Sequence, residues 1–460
     1  MQQEQTTNAT FSTKLGLIMA TAGSAVGLGN IWKFPYIAGE NGGGAFLIIY
    51  LVCVLLFGLP LLMVEFIIGK HSGKSAYGAF RELTHNNRWQ WLSWSCLLTP
   101  LIITGFYFVV TGWCLNYLTE AITNTFNNLS ATQLTENFEN LQNHTLRMFG
   151  YSILAVLLTA AVLWFDVNKG IERLSKILMP LLLLMMLLMA GRVLMLPGSN
   201  VGMSFFFEAD FSKITPDVVL SAMGQCFFSL SIGMGALITY GAYMPKRQNI
   251  TVTSLQVVIL DTLVALLAGI IIFPAVFAFG FDPAEGPELV FVVLPAIFEQ
   301  MSFSWFSSVL FFTLLGIAAI TSTISLMEVV VAFLTEATAH RRYPLNRHKA
   351  VLITAALCIV MISVCILSIS GSWQWLVIAG HDMFYWFDKV TSCFLMPINA
   401  LAMTLFVGWI LQKKDVKTEL ETHHNIVHRT YINVFWQLVR FFVPIAILAI
   451  FLNGIGIFTI

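Results

Sequence analysis

Ala22-Gly23-Ser24-Ala25-Val26-Gly27-Leu28-Gly29-Asn30 and Phe227-Phe228-Ser229-Leu230-Ser231-Ile232-Gly233-Met234-Gly235 are the two stretches that decide the fold. Each stands inside a long apolar run and interrupts it with glycines and small hydroxyl or amide side chains. Glycine weakens a helix and leaves backbone groups free. At bilayer depth, free backbone is tolerated only where it lines a protein cavity. For one such stretch alone, a Gly/Ser helix-packing seam would be the preferred reading. The outcome therefore turns on how the two stretches relate to each other.

The surrounding sequence sets that relation. Of 460 residues, 57% are hydrophobic and 10% are charged, against about 25% charged in an ordinary soluble domain. With 24 basic and 24 acidic residues the net charge is zero, which speaks against a nucleic-acid partner. The class is an all-α polytopic membrane protein, with the lipid bilayer as its surroundings. A crossing helix takes about 20 apolar residues. Eleven spans are expected on that basis, at 14–37, 44–69, 90–119, 149–166, 168–191, 216–243, 249–280, 304–336, 349–368, 375–411 and 431–458. The two interrupted stretches fall in spans one and six, which occupy matching positions in two five-helix halves. Paired broken helices of this kind point to a transporter binding site. The positive ends of half-helices face a carboxylate, and freed carbonyls face a cation.

Basic residues set the orientation. With the N-terminus in the cytoplasm, the inner side holds Lys14, Lys70, Lys74, Arg81 and Arg88, then Lys169, Arg173 and Lys176, then Lys246 and Arg247. It continues with Arg341, Arg342, Arg347 and Lys349, then Lys413, Lys414, Lys417, Arg429 and Arg440. The outer side keeps Lys33, Arg147, Arg192, Lys213 and Lys389. The expected location is the cell (inner) membrane, with the N-terminus cytoplasmic and the C-terminus outside. The first thirteen residues are polar and no signal peptide is expected. Seven scattered cysteines show no metal or disulfide spacing and read as packed thiols.

Asp261 stands in Val257-Val258-Ile259-Leu260-Asp261-Thr262-Leu263-Val264 with no basic residue nearby in sequence. A carboxylate there is expensive, and by default it marks function. Neither a His-Glu-x-x-His nor a Gly-x-Ser-x-Gly motif appears, so no enzyme is expected. Without an ATPase motif, the drive is an ion gradient.

Gly23 to Asn30, with Ile31-Trp32-Lys33-Phe34-Pro35-Tyr36 and Glu40-Asn41-Gly42-Gly43-Gly44-Ala45-Phe46, resembles the first helix of the neurotransmitter:sodium symporter family. Gly224-Gln225-Cys226-Phe227-Phe228-Ser229-Leu230-Ser231 resembles its sixth helix, and Ala318-Ala319-Ile320-Thr321-Ser322-Thr323 its eighth. The resemblance covers essentially the whole chain and is nearest to bacterial eleven-span members that carry hydrophobic or aromatic amino acids. It implies a five-plus-five inverted repeat with broken helices one and six. The corresponding divisions are a cytoplasmic segment 1–13, a first repeat 14–191, an outer loop 192–215, a second repeat 216–412, a cytoplasmic loop 413–430 and span eleven at 431–460.

The resemblance also implies two sodium sites. Site one would use the Ala25 carbonyl, Asn30, Ser229, Asp261 and the substrate carboxylate. Site two would use the carbonyls of Gly23, Val26 and Ala318 with the hydroxyls of Thr321 and Ser322. Interior Ser and Thr commonly bond back to their own helix, and that alternative stands beside the ion reading. Many relatives have Asn at Asp261 and bind chloride nearby. Here Tyr50, Gln225 and Ser229 match the chloride shell, but Ala265 replaces its Ser, so the Asp261 carboxylate is expected to stand in for chloride. Gly27 replaces the Asp of monoamine carriers, which implies an α-amino acid substrate. The pocket would comprise Ala25, Gly29, Ile103, Tyr107, Phe228, Ser229, Ser231, Met234, Thr323 and Leu326. Its apolar wall suits hydrophobic L-amino acids, aromatic ones at the large end.

For an outer gate the resemblance pairs Lys33 with Asp388, or alternatively Asp382. At the inner face, Asn8 and Phe11 stand where relatives have an Arg–Trp element, while Tyr243 and Glu336 match its other parts. Glu65 would brace the broken sixth helix, and Glu328 has no assigned role. Gly170 and Pro180 have the spacing by which relatives unwind span five; a Pro-kinked helix is the alternative. An amino-acid sensor of the same fold would carry the same pocket, and an ion channel would use similar oxygens.

Overall fold

The computed structural model describes residues 10–84, 87–283, 289–339, 341–421 and 429–454. Among the described residues every regular element is helical, and the only strand-like pairing is a bridge between Ile378 and His381. Among the described residues, nine helices are long and apolar enough to cross a bilayer: Gly44–Ser72, Asn87–Ile122, Thr145–Leu163, Asn168–Leu194, Ile250–Ala278, Ser304–Thr338, Arg347–Ile369, Met383–Ile410 and Thr430–Ala449. A further candidate is a pair, Lys14–Ala25 and Gly29–Glu40, bent by 48°. The stretch expected as span six is two pieces, Pro216–Ser229 and Ala236–Ala242, each too short to cross alone.

Polar caps fix where several of these helices begin, because the first turn of a helix has N–H groups without intrahelical partners. Thr13, Thr215, Asn249, Asn346 and Asp382 each accept a backbone N–H with the side chain. Pro216 follows Thr215 at the first helical position, where its missing N–H costs nothing. Gly73, in the left-handed region at φ 62°, ends Gly44–Ser72.

Spans three and eight are central. In their most apolar windows 72% of residues are buried, against 33% in span four. Span three packs along span eight, and spans four and nine pack against span three. Large apolar side chains left exposed, among them Leu55, Leu157, Leu187, Ile259, Leu352 and Ile445, would be a liability in water and suit contact with lipid. The seven cysteines are all free, six of them buried.

Span ten starts at Met383 rather than near 375. Trp375-Leu376-Val377-Ile378 is apolar enough to look like helix, but Ala379 and Gly380 take left-handed conformations (φ 51° and 80°) and turn the chain before the Asp382 cap. The polar segment 120–148 holds a helix, Ala131–Asn143, started by a Ser130/Gln133 capping box. An apolar helix, Leu289–Gln300, precedes span eight. Asn8 and the end of span eleven, toward 458, lie outside the described residues.

Candidate functional site

The break in span one follows from Val26, whose extended backbone (ψ 106°) stops the helix. The chain restarts through a wide turn at Gly29–Lys33. The break in span six is a run of left-handed residues: Ser231 at φ 54°, Gly233 at 83° and Gly235 at 74°. Glycine adopts this region freely; serine does so at a cost. Three side chains hold the geometry. Ser231 Oγ donates to the Ser24 carbonyl over 2.9 Å, tying one break to the other. Glu65 Oε1 accepts the Gly233 N–H at 2.7 Å, which is the bracing expected of it. Asn399 Nδ2 donates to the Gly233 carbonyl at 2.8 Å.

Beside the breaks lies a buried polar cluster. Asn30 Nδ2 stands 2.8 Å from Asp261 Oδ1 and 2.9 Å from Ser229 Oγ. Ser229 Oγ donates to Asp261 Oδ2 at 2.8 Å, and the Tyr50 hydroxyl reaches Ser229 at 3.3 Å. Asn30 Oδ1 accepts the Gly27 N–H at 3.1 Å. Gln225 Nε2 donates to the Gly29 carbonyl at 2.7 Å. Asp261 and Asn30 have no solvent exposure. Three of the four residues expected at sodium site one, Asn30, Ser229 and Asp261, are thus brought together, and the fourth, Ala25, lines the neighbouring cavity. The Asn30 amide, however, faces Asp261 with its nitrogen.

At the second expected ion site, Gly23 and Thr321 lie against each other, since a Cβ on Gly23 would fall 3.4 Å from that of Thr321. Thr321 Oγ1 is bonded back to the Ile317 and Ala318 carbonyls at 3.1 and 3.0 Å. The Val26 side chain sits in a small apolar cavity with Met179 and Leu260.

A small, tight cavity lies between the breaks. Ala25, Gly29, Ile103, Tyr107, Phe228, Ser231, Met234 and Leu326 line it as expected. Thr323 and Ser229 do not. On a helix, residues three and four apart share a face, so Ser322, Ser325 and Leu326 reach the cavity while Thr323 turns away to Thr159, 2.8 Å distant. Ser229 is consumed by the Asp261 cluster. The Tyr107 hydroxyl accepts the Leu28 N–H at 3.1 Å. A Cβ on Gly27 would lie 2.7 Å from that hydroxyl and collide with Ser322 Oγ.

On one side of the cavity, Lys33 Nζ lies 4.2 Å from the centre of the Phe228 ring and 3.5 Å from Asp388 Oδ1. Asp382 is instead the helix cap, accepting the Tyr385 N–H. Toward the end rich in basic residues, Tyr243 and Glu336, both expected at the inner gate, have different partners. Tyr243 donates to Glu328 Oε1 at 2.8 Å, and Arg347 takes both Glu328 oxygens at 3.0 and 2.7 Å. Glu336 accepts from the backbone and hydroxyl of Ser75. Phe11 packs edge-on against Tyr240 and Tyr243, and its N–H donates to the Tyr243 carbonyl at 3.0 Å. Span five is continuous helix through Pro180, preceded by a wide turn at Asn168–Glu172.

Bent and broken membrane helices enclosing a polar-lined cavity define the chain as a multi-span membrane transporter. The comparisons give its kind. The model of the sodium:neurotransmitter symporter family matches residues 8–150 and 126–459. The sodium-dependent transporter YhdH of Bacillus subtilis is 37% identical over 97% of this chain and 98% of its own length. A sodium-dependent transporter of Haemophilus influenzae is 33% identical over 97% and 98%. The crystal structure of MhsT in complex with L-phenylalanine superposes with a TM-score of 0.88 at 36% identity, over 97% of this chain and 99% of that one. The chain belongs to the sodium:neurotransmitter symporter family and is a sodium-dependent transporter.

Proposed function

We propose that this protein is a sodium-coupled symporter of hydrophobic L-amino acids, aromatic ones included, working by alternating access and without chloride. The observation that carries the reading is the adjacency of the small cavity, polar at Tyr107, Ser231 and Ser322 and apolar at Ile103, Phe228, Met234 and Leu326, to the buried Asp261–Asn30–Ser229 cluster. The phenylalanine bound by MhsT supports the substrate class.

In this reading the Tyr107 hydroxyl and the Leu28 N–H at the break hold the substrate carboxylate. The Ala25 carbonyl, Asn30, Ser229 and Asp261 take one sodium ion, with Asn30 turned to offer its oxygen. Gly23, Val26, Ala318, Thr321 and Ser322 take a second, with Thr321 leaving its back-bonds. A sodium ion accepts hard oxygen ligands only, and these residues supply them. The Asp261 carboxylate provides the negative charge that a bound chloride provides in relatives.

Phe228, Lys33 and Asp388 close the outer side. Tyr243, Glu328 and Arg347 close the inner side, with Phe11 in place of an Arg–Trp element. The architecture is eleven spans in two inverted repeats, 14–191 and 216–412, with the N-terminus in the cytoplasm and the C-terminus outside. The ends 1–13 and 431–460 and the connections 192–215 and 413–430 flank the repeats.

The test is uptake and counterflow of labelled phenylalanine in proteoliposomes, with and without a sodium gradient and with chloride replaced by gluconate. Sodium-driven accumulation that persists without chloride is expected. Binding without accumulation would identify a sensor, and accumulation that collapses without chloride would overturn the role given to Asp261.

A further inference from the structure

The turn in span six supplies two cavity residues, Ser231 and Met234, and one residue between them, Gly233, is held from both sides. The Gly233 N–H is bonded to Glu65 of span two, and its carbonyl to Asn399 of span ten. Asn399 is fully buried and is itself held. Its Oδ1 accepts from Ser95 Oγ at 2.5 Å, and its Nδ2 also donates to Thr99 Oγ1 at 3.0 Å. Both its N–H groups are therefore used, and its oxygen is tied to span three. Space enforces the same contact, since a Cβ on Gly233 would come 2.5 Å from the Met396 carbonyl of span ten.

We infer that Asn399 is a positioning residue for substrate selectivity: by fixing the Gly233 carbonyl against span three, it sets where Met234 stands in the cavity and so how large a substrate side chain fits. The physical basis is rigidity. Methionine is unbranched and adaptable, so its place in the cavity is defined by its backbone rather than its rotamer. That backbone lies between two glycines, Gly233 and Gly235, which adopt many other conformations as readily as the left-handed one seen here, so it is held in place by its neighbours and not by its own preference. Ser231 is pinned separately, through the Ser24 carbonyl. Loss of Asn399 therefore frees the Met234 side of the turn and leaves the polar side and the Asp261 cluster in place.

The inference rests on the proposal that this cavity holds the amino-acid side chain. The experiment compares uptake of phenylalanine and valine by the wild type, Asn399→Ala, Met234→Leu and the double variant, together with sodium half-saturation. Asn399→Ala is expected to shift the phenylalanine-to-valine ratio of kcat/KM by about tenfold, with sodium half-saturation within twofold of wild type. Because the effect passes through Met234, the shifts of the single variants are expected not to add in the double variant. Thr99→Val, which loosens Asn399 while leaving it present, is expected to move the ratio the same way by a smaller factor, and it supplies the readout if Asn399→Ala does not fold. An equal loss for both substrates, or additive single effects, would overturn the inference. Failure of the wild type to take up either amino acid would instead overturn the proposed substrate class.

Discussion

Asn30 donates its side-chain amide to the Asp261 carboxylate across 2.8 Å, between spans one and seven, with neither residue exposed. Among the described residues no basic side chain is hydrogen-bonded to Asp261; its two oxygens are met by the Asn30 amide and the Ser229 hydroxyl, and in the proposed function the counter-ion is a bound sodium. Removing one member of a buried charged pair typically costs about 3–5 kcal/mol. Asp261→Asn is expected to raise the sodium half-saturation of uptake by at least about tenfold, or about 1.4 kcal/mol. Sodium titration of phenylalanine uptake checks this, and an unchanged sodium curve would remove Asp261 from the ion site.

Gly27 owes its place to close approach, not to backbone strain. A methyl group there meets the Tyr107 hydroxyl at 2.7 Å and Ser322 Cβ at 3.2 Å. Overpacking of this kind costs about 1–3 kcal/mol, and here it falls on cavity-lining groups. Gly27→Ala is expected to weaken phenylalanine binding by about ten- to a hundredfold while the purified protein keeps its elution profile. Scintillation proximity binding measures it; wild-type affinity would show that the Gly27 face is not the substrate face.

Much of this architecture was legible in the chain because membrane helices leave strong signatures. The breaks at Gly27–Gly29 and Gly233–Gly235, the lone Asp261 and most of the cavity wall follow from glycine, depth and family motifs. What stayed hidden depended on rotation and distance. Thr323 and Ser322 differ by about 100° around a helix, and a motif fixes neither. Glu328 and Arg347 lie on different helices, so no periodicity joins them. Asn399 resembled any polar residue in span ten until Gly233 was seen against it. The helix Ala131–Asn143 lay in a segment whose polarity suggested only a loop, although Ser130 and Gln133 already spelled its cap.

Glu328 has no exposed side chain surface, and Arg347 grips both its oxygens while also donating to the Leu163 and Phe165 carbonyls. This fork joins the ends of spans four and nine to Glu328, within span eight, and through it to Tyr243 of span six. Arg347→Ala leaves a buried carboxylate without its cation, a change worth about 3–5 kcal/mol. A clear drop in detergent melting temperature is expected, larger than for Glu336→Gln, whose hydrogen bonds among the described residues come from the uncharged Ser75. Differential scanning fluorimetry compares the two, and equal melting temperatures would contradict the assignment of the main inner contact to Glu328.

The short helix Lys413–Leu420 is tied to the end of span two by Glu419, which stands 3.2 Å from Lys70 and 3.0 Å from His71. Burial disfavours ionisation of the Glu419 carboxyl, but its hydrogen bond to His71 and the Lys70 charge outweigh that and hold it below the usual carboxylate range. A depressed value in the folded protein means that this contribution is present above the ordinary carboxylate pKa and is lost as pH falls through the lowered one. Protection from amide exchange in 413–420 is therefore expected to be lost in acid below about pH 4, and to weaken by a smaller amount on going from pH 6 to pH 8, as His71, whose pKa the Glu419 hydrogen bond raises, gives up its proton. Loss of protection already between pH 8 and pH 6 would show that Glu419 does not hold the helix.

Lys33 and Asp388, the proposed outer contact, are joined only weakly. The single N–O distance is 3.5 Å, and the Asp388 side chain is 37% exposed. Ion pairs with this exposure contribute about 0.2–1 kcal/mol. Asp388→Asn is thus expected to change the off-rate of bound phenylalanine by less than about fivefold. The Phe228 ring lies directly under the Lys33 ammonium and lines the cavity itself, so closure depends more on the ring. Phe228→Ala removes cavity wall as well as the cation–π contact, and its off-rate is expected to rise by more than tenfold. Lys33→Arg offers a planar fork where lysine offers a point charge and is expected to slow release. Dilution-chase release of labelled phenylalanine orders the three variants. A larger effect from Asp388→Asn than from Phe228→Ala would transfer the main outer closure from the ring to the ion pair.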